Sequence, residues 1–198
     1  MGARSETMED DQTPIVIPMI IWINGTFGVG KTTTAGLVAE TPNWRTFDPE
    51  QVGYLLAGHL KDLEFDDFQD LPPWRALVPT VADEIISFTG CSALVAMQTV
   101  LVQSYWEELR RGLEQRDLPI FHVILDCNEE ELRSRIENDE VEHQAKDWRL
   151  DHIAKYHEAR EWLARSADIV IDTTHSKPSE VAEVVIAAAN DRIAAQAP

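Results

Sequence analysis

Gly25-Thr26-Phe27-Gly28-Val29-Gly30-Lys31-Thr32 is the stretch that decides how this chain folds. It meets every fixed position of the pattern G-x-x-x-x-G-K-[ST]. The context agrees: the apolar residues 19–24 lead in as a strand, and a helix-forming stretch from Thr33 leads out. Glycines let the backbone turn until successive N–H groups converge on one anion, and the helix N-terminus adds partial positive charge. Lys31 can then reach the β- and γ-phosphates of a nucleoside triphosphate, and Thr32 can offer its hydroxyl to Mg²⁺. The residues assigned to ATP are therefore Gly25, Thr26, Phe27, Gly28, Val29, Gly30, Lys31, Thr32 and Thr33. A glycine-rich turn between strand and helix is common, but one carrying Lys-Thr at this offset is not.

Outward from the loop, apolar runs alternate with helical patterns. Strands are expected at 15–23 (interrupted by Pro18), 44–47, 92–97, 120–125 and 168–171. Helices are expected at 33–39, 49–60, 74–89, 103–116, 129–136 and 148–165, and in a last segment capped by Ser179. In the third of these, Leu77, Val78, Val81, Ile85 and Ile86 form the inward face; in the last, Val181, Val184, Val185 and Ala188. Strands apolar on both faces, alternating with helices, imply a parallel α/β sheet with right-handed crossovers. No composition shift divides the chain, so a single domain over 15–198 is expected after a disordered acidic tail at 1–14.

The chain has 198 residues and a formal net charge of −18, from 35 acidic and 17 basic residues. So acidic a surface repels phosphate backbones and anionic lipid, which argues against nucleic acid and membrane surfaces as partners. No apolar run has the length of a membrane span, and residues 1–11 lack the pattern of a signal peptide. A cytoplasmic protein is expected, and its oligomeric state is not legible. Cys91 and Cys127 lie in apolar runs and read as buried thiols. His59, His122, His143, His152, His157 and His175 show no nucleophile or metal spacing and read as structural or surface residues.

The stretch 20–32 resembles the start of the tunicamycin-resistance proteins, ATP-binding members of the P-loop kinase superfamily. The likeness continues at Phe47-Asp48-Pro49-Glu50-Gln51-Val52-Gly53, at Asp67-Phe68-Gln69 and at Pro73-Trp74-Arg75-Ala76, and extends over 20–189. It implies a three-layer P-loop NTPase fold, with a five-stranded parallel sheet of order 2-3-1-4-5 and a small helical lid near 136–150. It also implies ATP and Mg²⁺, with binding or phosphorylation of an antibiotic both open. Members of the family carry a further carboxyl-terminal segment; this sequence stops at Pro198, so no membrane-associated role is expected.

Beyond the loop, Asp48 stands between a strand and Pro49, where it can cap the next helix or act as general base on an attacking hydroxyl, with a share in holding Mg²⁺. Glu50 is a candidate substrate contact. Arg75, at a helix start where the macrodipole disfavours it, is either a surface residue or an anchor for a substrate phosphate or carboxylate, with Trp74 stacked beside it. Gln98 ends the third strand where many P-loop enzymes place an acid, and is a candidate substrate contact. Segment 63–74 would sort substrates. In the fourth crossover Arg135 is the first candidate for the transferred phosphoryl group, with Arg133, Arg149 and Lys155 as alternatives. Three functions remain open: ATP-dependent transfer to a hydroxyl of a nucleoside- or sugar-type antibiotic such as tunicamycin, ATP-dependent sequestration of a drug without turnover, and a metabolic kinase for a nucleotide or shikimate-like acid.

Overall fold

The computed structural model describes residues 17–140 and 143–195; the expected tail at 1–14 lies outside them. The apolar runs form five parallel strands: β1 (Met19–Asn24), β2 (Trp44–Phe47), β3 (Ala93–Met97), β4 (Ile120–Asp126) and β5 (Ile169–Asp172). They pair in the order β2-β3-β1-β4-β5. Ile21 of β1 stands beside Val95 on one side and Phe121 on the other. All six residues of β1 are buried, as befits a central strand covered on both faces.

The helices are α1 (Lys31–Val38), α2 (Glu50–His59), α3 (Pro72–Thr89), α4 (Gln103–Glu114), α5 (Glu129–Glu137), α6 (Lys146–Ser166) and α7 (Pro178–Ala194). Because side chains alternate along a strand, β1 feeds two cores. Met19, Ile21 and Ile23 pack with Val38 of α1, Leu132 of α5 and Val185 of α7. Ile20 and Trp22 pack with Trp74 and Val78 of α3 and with Leu109 of α4. Trp22 meets Trp106 of α4 edge to face at 5.4 Å. Both cysteines are free and buried.

Three local expectations change. The first strand starts at Met19, after Pro18, which cannot donate to a ladder. The last helix begins at Pro178 rather than behind a Ser179 cap, and the Lys177 N–H donates to Glu180 Oε2 at 2.8 Å. Its buried stripe is Val181, Ala182, Val185 and Ala189, while Val184 is exposed. In α3 the buried stripe is Trp74, Val78, Ala82 and Ile86, spaced by four, and Leu77 faces outward. Both helices carry apolar residues around much of their circumference, so periodicity alone leaves the inward face ambiguous.

The chain leaves β1 toward β3 and β2 but leaves β4 toward β5. Crossovers parting in opposite directions open a crevice beyond the carboxyl ends of β1 and β4. The motif-bearing loop lies at that point. Among the described residues no helix is long and apolar enough to cross a membrane.

Candidate active site

The loop between β1 and α1 is built as an anion cradle. Gly25, at φ +141°, runs so close to β4 that a Cβ would lie 2.5 Å from the Leu125 carbonyl oxygen. Gly30, at φ +95°, is the left-handed residue from which α1 starts, and space is open where its Cβ would be. No side chain caps α1, and its first turn holds no acidic residue. The first amides of the helix, with the partial charge they carry, are therefore left for an external anion. Asn24, wholly buried, fixes the loop's entry: its Oδ1 accepts from the N–H of Gly25 and of Val100 at 2.7 and 2.9 Å, and its Nδ2 donates to the Val100 carbonyl at 3.0 Å.

Lys31 donates to the Thr26 carbonyl at 2.9 Å and lies 5.2 Å from the centre of the Phe27 ring. Burial lowers its pKa to about 7; Glu50 opposes that shift and Arg149 adds to it. Arg149, near the start of α6, approaches the same Phe27 ring at 6.0 Å, with one nitrogen on Asp139 at 2.8 Å and its buried Nε without a partner. Trp148 and His152 of α6 pack on Phe27 at 4.9 and 5.3 Å, so the start of α6 rests on the phosphate loop. His152, read as a structural or surface residue, is thus a buried part of the site's wall. The Thr26 hydroxyl, wholly buried beneath the loop, also lacks a partner. Two desolvated cations, open helix amides and orphaned polar atoms around one turn fit a polyphosphate.

Arg135 departs from its expected place. Its guanidinium donates to the carbonyls of Thr173 and Thr174 at 2.8 and 3.2 Å and more distantly to that of Gly28 at 3.5 Å, while Nε binds Glu131. It fastens the phosphate loop to the loop after β5, and its fork is occupied. Arg133 is exposed and paired with Glu129 at 2.7 Å. Lys155 is exposed and faces Asp67. Of the four cations weighed from the sequence, Arg149 is the one held over Phe27 beside Lys31.

Across from the cradle, the ends of β2 and β3 meet a 3-10 turn (Phe68–Asp70) and the start of α3. Asp48 binds as an Asx turn: Oδ1 accepts from the Glu50 N–H at 2.9 Å and Oδ2 from the Gln51 side chain at 3.2 Å. Asp48 thus stands one residue before the N-cap of α2, Pro49, and both of its oxygens have partners. Glu50 faces Lys31.

Trp74 and Arg75 are corrected. The Trp74 ring is fully buried and donates its Nε1–H to the Pro49 carbonyl at 3.0 Å, so it has no face for a substrate. Arg75 is 9% exposed: Nε binds Glu108 at 2.7 Å, Nη1 binds the Gln69 carbonyl, and its guanidinium lies 4.2 Å over the Tyr105 ring. An arginine so enclosed on an amphipathic helix overcomes the unfavourable macrodipole through these partners, not through a ligand. Gln98 is buried, with its side-chain oxygen unpartnered.

Asn24 had no role in the sequence reading, and Asp67 and Gln69 had none beyond belonging to the segment expected to sort substrates. Gln69 donates from Nε2 to the Thr99 carbonyl at 2.8 Å and to Asp67 at 3.3 Å, so this turn and the end of β3 are one unit. The signal for Asn24 was a lone polar residue closing an apolar strand. Asp67 and Gln69 lay within a recognised motif, but their contacts join segments far apart in sequence.

A phosphate loop at the switch point of a 2-3-1-4-5 parallel sheet, with helix α6 laid over it, defines an α/β P-loop fold. Comparison with solved structures agrees. The tunicamycin resistance protein of Deinococcus radiodurans matches with a TM-score of 0.66 and 26% identity, over 87% of this chain and 95% of that one. A sugar kinase from Janibacter sp. matches at 0.60 and 21% identity, over 88% and 93%. The APS kinase of Mycobacterium tuberculosis, solved with AMPPNP and APS, matches at 0.57 and 16% identity, over 87% and 98%. No family model matches the sequence. No curated protein matches it.

Proposed function

We propose that this chain is an ATP-dependent phosphotransferase acting on a hydroxyl of a small molecule, of the kind found in nucleoside- and sugar-type antibiotics. The observation that carries the reading is the uncapped start of α1 with Lys31 and Arg149 beside it. The amides from Gly25 to Thr33 and the Lys31 ammonium hold the triphosphate, and Arg149 reaches it from the start of α6, within the lid expected near 136–150. Thr32 and Asp48 would hold Mg²⁺, which when bound neutralises charge on the phosphate oxygens. The acceptor oxygen attacks the γ-phosphorus, the bond to the bridging β–γ oxygen breaks, and ADP leaves. Asp48 takes the hydroxyl proton at Oδ2, whose 3.2 Å bond from Gln51 a substrate hydroxyl can replace. Positioning and charge stabilisation supply most of the rate.

A second reading, ATP-dependent capture of a drug without turnover, is favoured by Gln98, a buried neutral amide at the end of β3, and by the occupied oxygens of Asp48. Mass spectrometry separates the two. Protein, ATP-Mg²⁺ and a panel of nucleoside and sugar antibiotics are incubated together. A gain of about 80 Da, one phosphoryl group, on a compound supports transfer. Retention of unmodified compound supports capture.

A further inference from the structure

We infer that the acceptor side of this site selects hydroxyl compounds without negative charge, neutral or amine-bearing, and rejects those carrying a carboxylate or phosphate. The inference rests on the phosphotransferase reading for where the acceptor lies. Anionic acceptors need a free guanidinium fork or a comparable cation. Arg75, the arginine at the start of α3, is enclosed by Glu108, the Gln69 carbonyl and the Tyr105 ring. Arg45 belongs to the early part of β2, beside Trp44, at the far edge of the sheet. Lys31 and Arg149 belong to the triphosphate.

What this side offers instead is mainly acidic or an acceptor, with the exposed Lys155 as its counterweight. Asp48 and Glu50 stand at the end of β2. Asp67 caps the 3-10 turn, with its oxygens on the Gln69 N–H and side chain at 2.9 and 3.3 Å. The cations facing Asp67 are His152 and Lys155. Burial lowers the His152 pKa, and its Nδ1–H goes to the Trp148 carbonyl at 2.7 Å; Lys155 is exposed. Burial and the neighbouring Asp70 raise the Asp67 pKa, as expected of a carboxylate short of positive partners.

Gln98 provides an independent pointer. By strand alternation it shares the face of Leu94 and Ala96, which lie in one buried cluster with Phe47, the last residue of β2, and with Trp74 of α3. Its side-chain oxygen is buried and unpartnered, in a residue 4% exposed. A buried orphan acceptor calls for an O–H or N–H donor, which a polyol or amine supplies and a carboxylate does not.

Two matched pairs test this on the full chain with a non-hydrolysable ATP analogue and Mg²⁺: uridine against uridine 5′-monophosphate, and glucosamine against gluconate. Binding is read by saturation-transfer NMR, and ADP release is followed separately with ATP. In each pair the anion is expected to bind about tenfold more weakly or worse, since like charges are brought together. Asp67→Asn, which keeps the turn's cap, narrows the ratio. Equal binding, preference for the anions, or no binding by any of the four overturns the inference. Selective binding without ADP formation leaves it standing and removes the phosphotransferase reading. ADP formation with gluconate or uridine 5′-monophosphate in preference to their partners does the reverse.

Discussion

The two sides of the crevice handle their polar groups in opposite ways. On the side of α1, groups are left waiting: the first helix amides have no cap, the Thr26 hydroxyl and Arg149 Nε have no partner, and Lys31 donates to a backbone carbonyl that a phosphate can replace. On the side of α3, most groups have found each other. Arg75 is bound to Glu108 and Gln69, Trp74 to Pro49, Gln69 to Thr99, and Asp48 to Glu50 and Gln51. The first arrangement is a site prepared for a strongly charged ligand that repays desolvation. The second is a rigid wall, in which recognition falls to a few acceptors.

Substitutions break this contrast at different strengths. Lys31→Ala removes the ammonium from the waiting side; ATP turnover is expected to fall on the order of 10³-fold, the scale for loss of a preorganised charge-stabilising donor, with the melting temperature held or raised. Steady-state kinetics beside a thermal melt reads both. Trp74→Ala should do the converse. It empties a fully buried site and leaves the Pro49 carbonyl without its partner, at a stability cost of about 3–5 kcal/mol in urea unfolding. ATP affinity should survive wherever the variant is folded.

A third test lies in the core under the wall. His122 is stacked on Trp106 at 3.9 Å, directs Nδ1–H to the Ser166 carbonyl, and is lowered by burial to about 4. Its folded pKa lies below its unfolded value, so between about pH 6.5 and 4 the unfolded chain binds more protons. Stability should fall as pH drops through that window, by up to about 3 kcal/mol. His122→Phe keeps the stack and should flatten that slope; an unchanged slope would place the titration elsewhere. The smallest effect is expected from Arg149→Lys, which keeps charge over Phe27 but loses the planar fork, lowering turnover by about tenfold with little change in stability.

The contrast also explains what could be read from the sequence. The cradle was legible because its geometry depends on local spacing: glycines at positive φ, a lysine opening a helix, and an apolar strand before them. The five strands came through on that basis, and their order came through as the family resemblance implied. The wall was not, because its pairings cross long separations. Arg75 looked available until Glu108, 33 residues away, was seen beside it. Arg135 looked like the phosphate arginine until Thr173, 38 residues away, was seen to hold it. Arg149 could be chosen over its rivals only once α6 was seen lying on Phe27.

The central claim is that the cradle binds a nucleoside triphosphate through a lysine that is half deprotonated near neutrality while empty. Bound phosphates must restore its charge. Calorimetry of ATP-Mg²⁺ binding in buffers of differing ionisation enthalpy measures this directly. The account predicts uptake of close to one proton at pH 8, little uptake at pH 6, and loss of the linkage in Lys31→Met. Absence of ATP binding, or binding at pH 8 with no proton taken up, would contradict it.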